Sequence, residues 1–161
     1  MRVFYEDWQM ECCGTPFAVG DEVGWRLVAV GAGAPQGAYY GAGTWVENHG
    51  GPGHETTGRV RGIDLVHQEY LGRHDPRAVE PPPAQPGEVV LTAAGRRLEA
   101  VPGAHTLEPV DGCPKWFDPF EDAEQPPRQV PFRVRRAVGV LVALDVPDVP
   151  DGTPRQPRDP R

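Results

Sequence analysis

Residues 132–146, FRVRRAVGVLVALDV, settle the fold class of this chain. Phe132, Val134, Val138, Val140, Val142, Leu144 and Val146 share one parity, with Arg136 as the exception, while Arg133, Arg135 and Asp145 share the other. A period of two marks a strand, because a helix repeats its apolar face every 3.6 residues. Four valines fall within residues 138–146, and a β-branched side chain fits a pleated surface better than a helix. Leu141 and Ala143 make the middle apolar on the second parity too, so both faces should be covered there.

The same period recurs upstream. Phe17, Val19, Val23, Trp25 and Leu27 alternate with Ala18, Gly20, Glu22, Gly24 and Arg26, and Gly20-Asp21 is a turn signal that breaks the run. Residues 57–70, TGRVRGIDLVHQEY, read as a strand bent at Gly62. Residues 3–5 begin a first strand that runs into a turn at Cys12-Cys13, residues 44–47 form a short strand, and residues 88–92 and 97–101 form a hairpin around Ala94-Gly95. Gly- and Pro-rich loops are expected at 31–43, 50–53, 73–87 and 102–131, and the one helical signal is a turn within 116–122. These features predict an all-β fold, a small partly open barrel or sandwich of five to seven strands. Residues 1–146 form a single β-domain on this pattern, and the Pro-rich tail 147–161, which lacks aromatic residues, is expected to be disordered.

The formal net charge of −7 argues against a general nucleic-acid binder, whose affinity for phosphate depends on accumulated positive charge. Lys115 is the only lysine beside fifteen arginines, a bias that GC-rich codons explain and that points to a high-GC bacterial genome. The first residues lack the apolar core of a signal peptide, and no apolar run approaches the roughly 20 residues of a spanning helix. A cytoplasmic protein without a membrane partner is the expectation. Three cysteines, Cys12, Cys13 and Cys113, are an odd number for a disulfide framework, which leaves free thiols or a metal site.

Chemistry concentrates in the N-terminal third. Cys12 and Cys13 are soft ligands that His49, His54 or His67 could complete into a tetrahedral zinc site. Their adjacency works against it, since paired zinc cysteines stand two to four residues apart and neighbours on a strand face opposite sides. The simpler expectation is one cysteine buried as a small hydrophobe and the other half-exposed beside the turn. A thiol nucleophile would need a base, for which His67 on its strand is the candidate, and Glu6, Asp7 and Glu11 would disfavour the thiolate. Neither phosphate-loop nor dinucleotide-loop spacing is present among the glycines. Trp8 and Trp45, with Arg59, Arg61, Arg133 and Arg135, could form a binding surface, although core tryptophans (Trp8, Trp25) and solvated arginines explain the same residues. Asp118, Glu121, Asp122 and Glu124 lack the spacing of a calcium loop.

Asp7-Trp8-Gln9, Cys12-Cys13-Gly14, Pro16-Phe17, Val19-Gly20-Asp21 and Trp25, followed by Gly58-Arg59-Val60, give the N-terminal half its signature. With its DWQxxCCGxPFxVGDxVxW pattern, it resembles an actinobacterial domain-of-unknown-function family of small proteins, over roughly residues 1–71 and the final valine-rich strand. That resemblance implies no activity, cofactor or catalytic residue. The 19–23 turn and the 57–63 strand also resemble SH3-like or OB-like barrels locally. No triad, paired carboxylate or cofactor loop emerges. The expectation is a noncatalytic binding or interaction module, with a protein or small ligand as partner rather than nucleic acid. The alternatives are a small zinc-binding protein using Cys12 and Cys13 with a histidine, zinc then being its only cofactor, and a thiol-dependent enzyme.

Overall fold

The structure, a computed structural model, describes residues 1–34, 38–74, 96–117 and 131–147. The 88–92 arm of the expected hairpin, most of the 73–87 loop, the acidic group at 118–124 and nearly all of the Pro-rich tail lie outside the described residues. So does most of the expected helical turn at 116–122.

The described residues hold six strands, one short α-helix and a 3-10 turn at Ala38–Gly41: β1 (Arg2–Glu6), α1 (Asp7–Cys13), β2 (Glu22–Ala29), β3 (Thr44–Val46), β4 (His54–His74), β5 (Arg96–Val110) and β6 (Phe132–Asp145). The all-β expectation is met, and the segments expected as strands at 57–70 and 132–146 lie in strands. The pairing order is β2-β3-β1-β6-β4-β5, and β4 also pairs back onto β2, so five strands close a ring. All neighbours are antiparallel except β1 and β3.

The 21-residue β4 makes the closure. A strand has two edges, and β4 gives one to β6 from Arg59 to Gly72. The other is shared in succession by β2, opposite residues 54–59, and β5, opposite residues 63–74. The seam between these two is sealed where Ala18 bridges to Gly112. There the Val19 N–H donates to the Asp111 carbonyl (2.9 Å) and the Cys113 N–H to that of Phe17 (2.8 Å).

Apolar residues fall into two clusters because the sheet is covered on both faces, as residues 138–146 required. One holds Val3, Tyr5, Trp25, Leu27, Val140 and Val142. The second, reached by the opposite parity, holds Phe4, Val66 and Leu141, with Tyr39, Tyr40 and Trp45 against it. Parity is not kept throughout. The β4–β6 register shifts at Val60/Gly62 and again at Val66/His67, so Ala137 and Val140 both face the first cluster while Val138 turns to the second. A bulge inserts one unpaired residue and inverts every side chain beyond it. Gly139 sits at the second shift with φ +141°, and a Cβ there would lie 2.2 Å from the Tyr5 carbonyl oxygen. Only glycine meets both demands.

Four expectations need correction. The Cys12-Cys13 turn is the last turn of α1. Val19 and Trp8 are exposed, not core. The loop expected from Pro102 starts later: β5 continues through Pro102 and Gly103 to Val110, with an irregularity opposite Gln68 and Tyr70 absorbing them. Proline lacks an N–H, so it survives in a strand at such an irregularity.

Candidate metal centre

α1 is seven residues long, and a helix of that length has little stability of its own. Tertiary contacts hold it. Gln9 and Met10 are fully buried. Lys115 Nζ donates to the carbonyls of Met10 (2.7 Å) and Gly14 (3.0 Å) at the C-terminal end, where free carbonyls and the negative pole of the helix favour a cation. The Phe117 N–H donates to Glu11 Oε1 (2.9 Å). Gly14 ends the helix against the core so closely that a Cβ would lie 2.3 Å from Met10 Sδ and 2.6 Å from the Tyr5 hydroxyl.

Cys12 and Cys13 therefore project from the last helical turn, both exposed. Successive side chains are about 100° apart around a helix rather than on opposite faces as in a strand. This is why the divergence expected from adjacency does not occur: the two Sγ atoms are 2.7 Å apart. Neither thiol is buried as a small hydrophobe; that role falls to Cys113.

His49 joins them from the loop after β3. Its Nε2 lies 3.7 Å from Cys12 Sγ and 3.6 Å from Cys13 Sγ, and the three ligand atoms are all within 4.8 Å of one another. Among the described residues this is the one His/Cys/Asp/Glu group of such geometry. Zn–S near 2.3 Å and Zn–N near 2.0–2.1 Å at tetrahedral angles imply an S···N edge of about 3.6 Å and an S···S edge of about 3.8 Å. The sulfur–nitrogen edges already fit. The sulfur pair needs to open by about 1 Å, which exposed side chains can do by χ1 rotation.

The histidine is held by a network that the sequence did not disclose. The Asn48 N–H donates to the buried Gln9 Oε1 (2.9 Å), and Gln9 Nε2 donates to Glu6 Oε2 (3.2 Å). Asn48 Nδ2 donates to the Tyr5 hydroxyl (2.5 Å), while the His49 N–H donates to Glu47 Oε1 (2.6 Å). The Trp8 indole stacks on the His49 ring at 4.8 Å between centroids, and its Nε1 donates to the same Glu6 oxygen (3.1 Å). Gln9 is thus the pin between helix and loop. The signal that could have found it was a glutamine beside Trp8 in a segment that otherwise reads as surface.

The electrostatics tell against an activated catalytic nucleophile, which needs a depressed thiol pKa. The Cys13 thiol is pushed above its ordinary range, first by its hydrogen bond with Cys12, against which Lys115 acts weakly. Both cysteines also stand at the carbonyl end of the helix, where negative charge is disfavoured. Burial pushes Cys113 up to about 12.

The other candidates lie elsewhere. His54 is exposed at the start of β4, opposite Leu27. His67 is buried in the middle of β4, with Nε2 2.9 Å from Glu108 Oε2. Trp45 stacks on Tyr39 (6.0 Å) beside the second cluster. Arg61 pairs with Asp145 (2.6 Å) and Arg133 with Glu69 (2.9 Å), so cross-strand carboxylates offset both positive charges. Arg59 and Arg135 are exposed on β4 and β6. Among the described residues no helix is long and apolar enough to cross a membrane.

Fold and site together define a small all-β protein whose strand ring carries an exposed Cys-Cys-His cluster between a short helix and the loop after β3. The chain belongs to the Family of unknown function (DUF6578), whose sequence profile matches residues 1–146. No curated protein and no solved structure matches it.

Proposed function

We propose that this protein is a noncatalytic metal-binding module that takes one zinc ion, or a similarly soft cation, on Cys12 Sγ, Cys13 Sγ and His49 Nε2. The observation that carries it is the meeting of three soft donors from two separate segments within 4.8 Å of one another. Thiolate and imidazole are the donor set that zinc prefers over hard oxygen ligands. The network through Gln9, Trp8 and Glu47 orients the histidine before any ion arrives, as partners beyond the ligands do in established sites. Three protein donors leave a fourth position for water or a donor from a partner.

The setting is the cytoplasm, where free thiols persist, and the partner is a protein or small ligand. A net charge of −7 and the paired Arg61 and Arg133 weigh against nucleic acid. An ion that binds only the folded chain raises stability, by about 2.7 kcal/mol at a hundred times its Kd. Zinc added to metal-free protein should therefore raise the melting temperature of the wild type and leave His49→Ala unmoved. Equal responses of the two proteins, or none in the wild type, would refute the assignment.

A further inference from the structure

We infer that Cys12 and Cys13 are also a reversible redox pair, which a small-molecule disulfide oxidises to an intramolecular Cys12–Cys13 disulfide, and that this oxidation ejects the metal. The metal release rests on the zinc reading above; the disulfide itself does not.

The two sulfurs touch and both sit on the last turn of one short helix, so a bond between them brings no second segment into motion. Both thiols are exposed, so an oxidant reaches them without unfolding, whereas Cys113 is buried. His49 Nε2 stands at 3.6–3.7 Å from both sulfurs, so closing the disulfide takes away two of the three donors that meet there. Adjacent residues have Cα atoms only about 3.8 Å apart, short of the 4.4–6.8 Å usual for a disulfide. A bond formed there is strained and readily reduced, a property of switching disulfides and not of structural ones.

The location keeps the strain affordable. Cys13 is the last residue of α1, so the backbone adjustment falls on the helix end and not inside the sheet. That end is tied by the Gly14 N–H to the carbonyls of Gln9 (3.1 Å) and Met10 (3.0 Å) and by the two Lys115 hydrogen bonds. Oxidation thus removes two of three metal ligands and loosens the turn that carried them.

The step balances as thiol–disulfide exchange. One cysteine sulfur attacks the small disulfide, forming a mixed disulfide and releasing one equivalent of its thiol. The second cysteine then attacks the bound sulfur of that mixed disulfide and expels the other thiol. Two cysteine thiols are oxidised, one disulfide is reduced to two thiols, and both protons leave with the products.

The test treats the full chain, metal-free and zinc-loaded, with oxidised glutathione, followed by denaturing alkylation and intact mass. In the metal-free wild type the expected result is a fall from three alkylatable thiols to one, Cys113, with the loss of two hydrogens and no retained glutathione. Dithiothreitol should restore all three. Cys13→Ser should stop at the mixed disulfide, showing that the second thiol is the resolving one. A stable glutathione adduct on the wild type, a disulfide-linked dimer, or three thiols left unreacted would overturn the redox pair. If the metal-free chain closes its disulfide but zinc never binds, the zinc reading fails and the redox pair stands. If zinc binds and stays bound while the thiols remain reduced under excess oxidant, the redox inference fails and the zinc reading stands.

Discussion

Gln9 joins the helix bearing the two cysteines to the loop bearing His49, through the Asn48 N–H. Gln9→Ala removes that acceptor from a side chain with no exposed surface. It should cost about 1–3 kcal/mol of stability and weaken zinc binding about 10–100-fold. Thermal melts and a competition titration read the two effects separately. Asp7, at the start of α1, gives a pH-dependent prediction. Burial pushes its carboxyl above the ordinary carboxylate range, against the pull of the Trp8 N–H hydrogen bond and the Arg136 charge. A group whose folded pKa is raised binds more protons folded than unfolded, so its effect is favourable below the unfolded pKa and is lost as pH rises through the folded one. Asp7→Asn should therefore melt higher than the wild type at neutral pH, with the gap closing in acid. Melting curves across that range check it, and an Asn variant that is less stable at neutral pH contradicts it. Cys113 makes a simpler case: with its thiol held at about 12 by burial, it should resist alkylation in the folded protein while Cys12 and Cys13 react.

The helix depends on one cation. Lys115 donates to the Met10 and Gly14 carbonyls at the end of α1, where the helix's negative pole favours a cation. Lys115→Met keeps the aliphatic stem and removes both hydrogen bonds. It should destabilise the protein by about 1–3 kcal/mol and lower zinc affinity, because the cysteines ride on that turn. Equilibrium denaturation together with the zinc titration decides it. These residues also show why the site was only half legible in sequence. Adjacent cysteines read as diverging only if the segment is a strand. Nothing local to residues 7–13 made a helix there, since its support comes from Lys115 and Phe117, more than a hundred positions away. The strands were far easier to read. The alternation at 132–146 and the β-branched residues at 57–70 marked strands, and Gly62 did mark a register shift. The shift at Gly139 escaped because alternating valines continue through it, whereas the structure inverts their faces.

The ring explains why so short a helix can be positioned at all. β1 is paired on both edges, antiparallel to β6 and parallel to β3, and it leads directly into α1. The loop with His49 leaves β3, the immediate neighbour of β1. Two adjacent strands of one closed sheet thus launch the two halves of the site, which alternation alone could not reveal, because it specifies which face a residue takes and not which strands lie side by side. The same closure couples site and core: Tyr5 packs against Phe17 and Trp25 while its hydroxyl accepts from Asn48. The most direct measurement is a cobalt(II) titration of the reduced, metal-free protein, with absorption reporting thiolate ligation. Saturation at about one equivalent with a sulfur-to-cobalt charge-transfer band, abolished in Cys12→Ser and in His49→Ala, is the predicted result. The absence of that band in the wild type, or its persistence in His49→Ala, would contradict the metal centre.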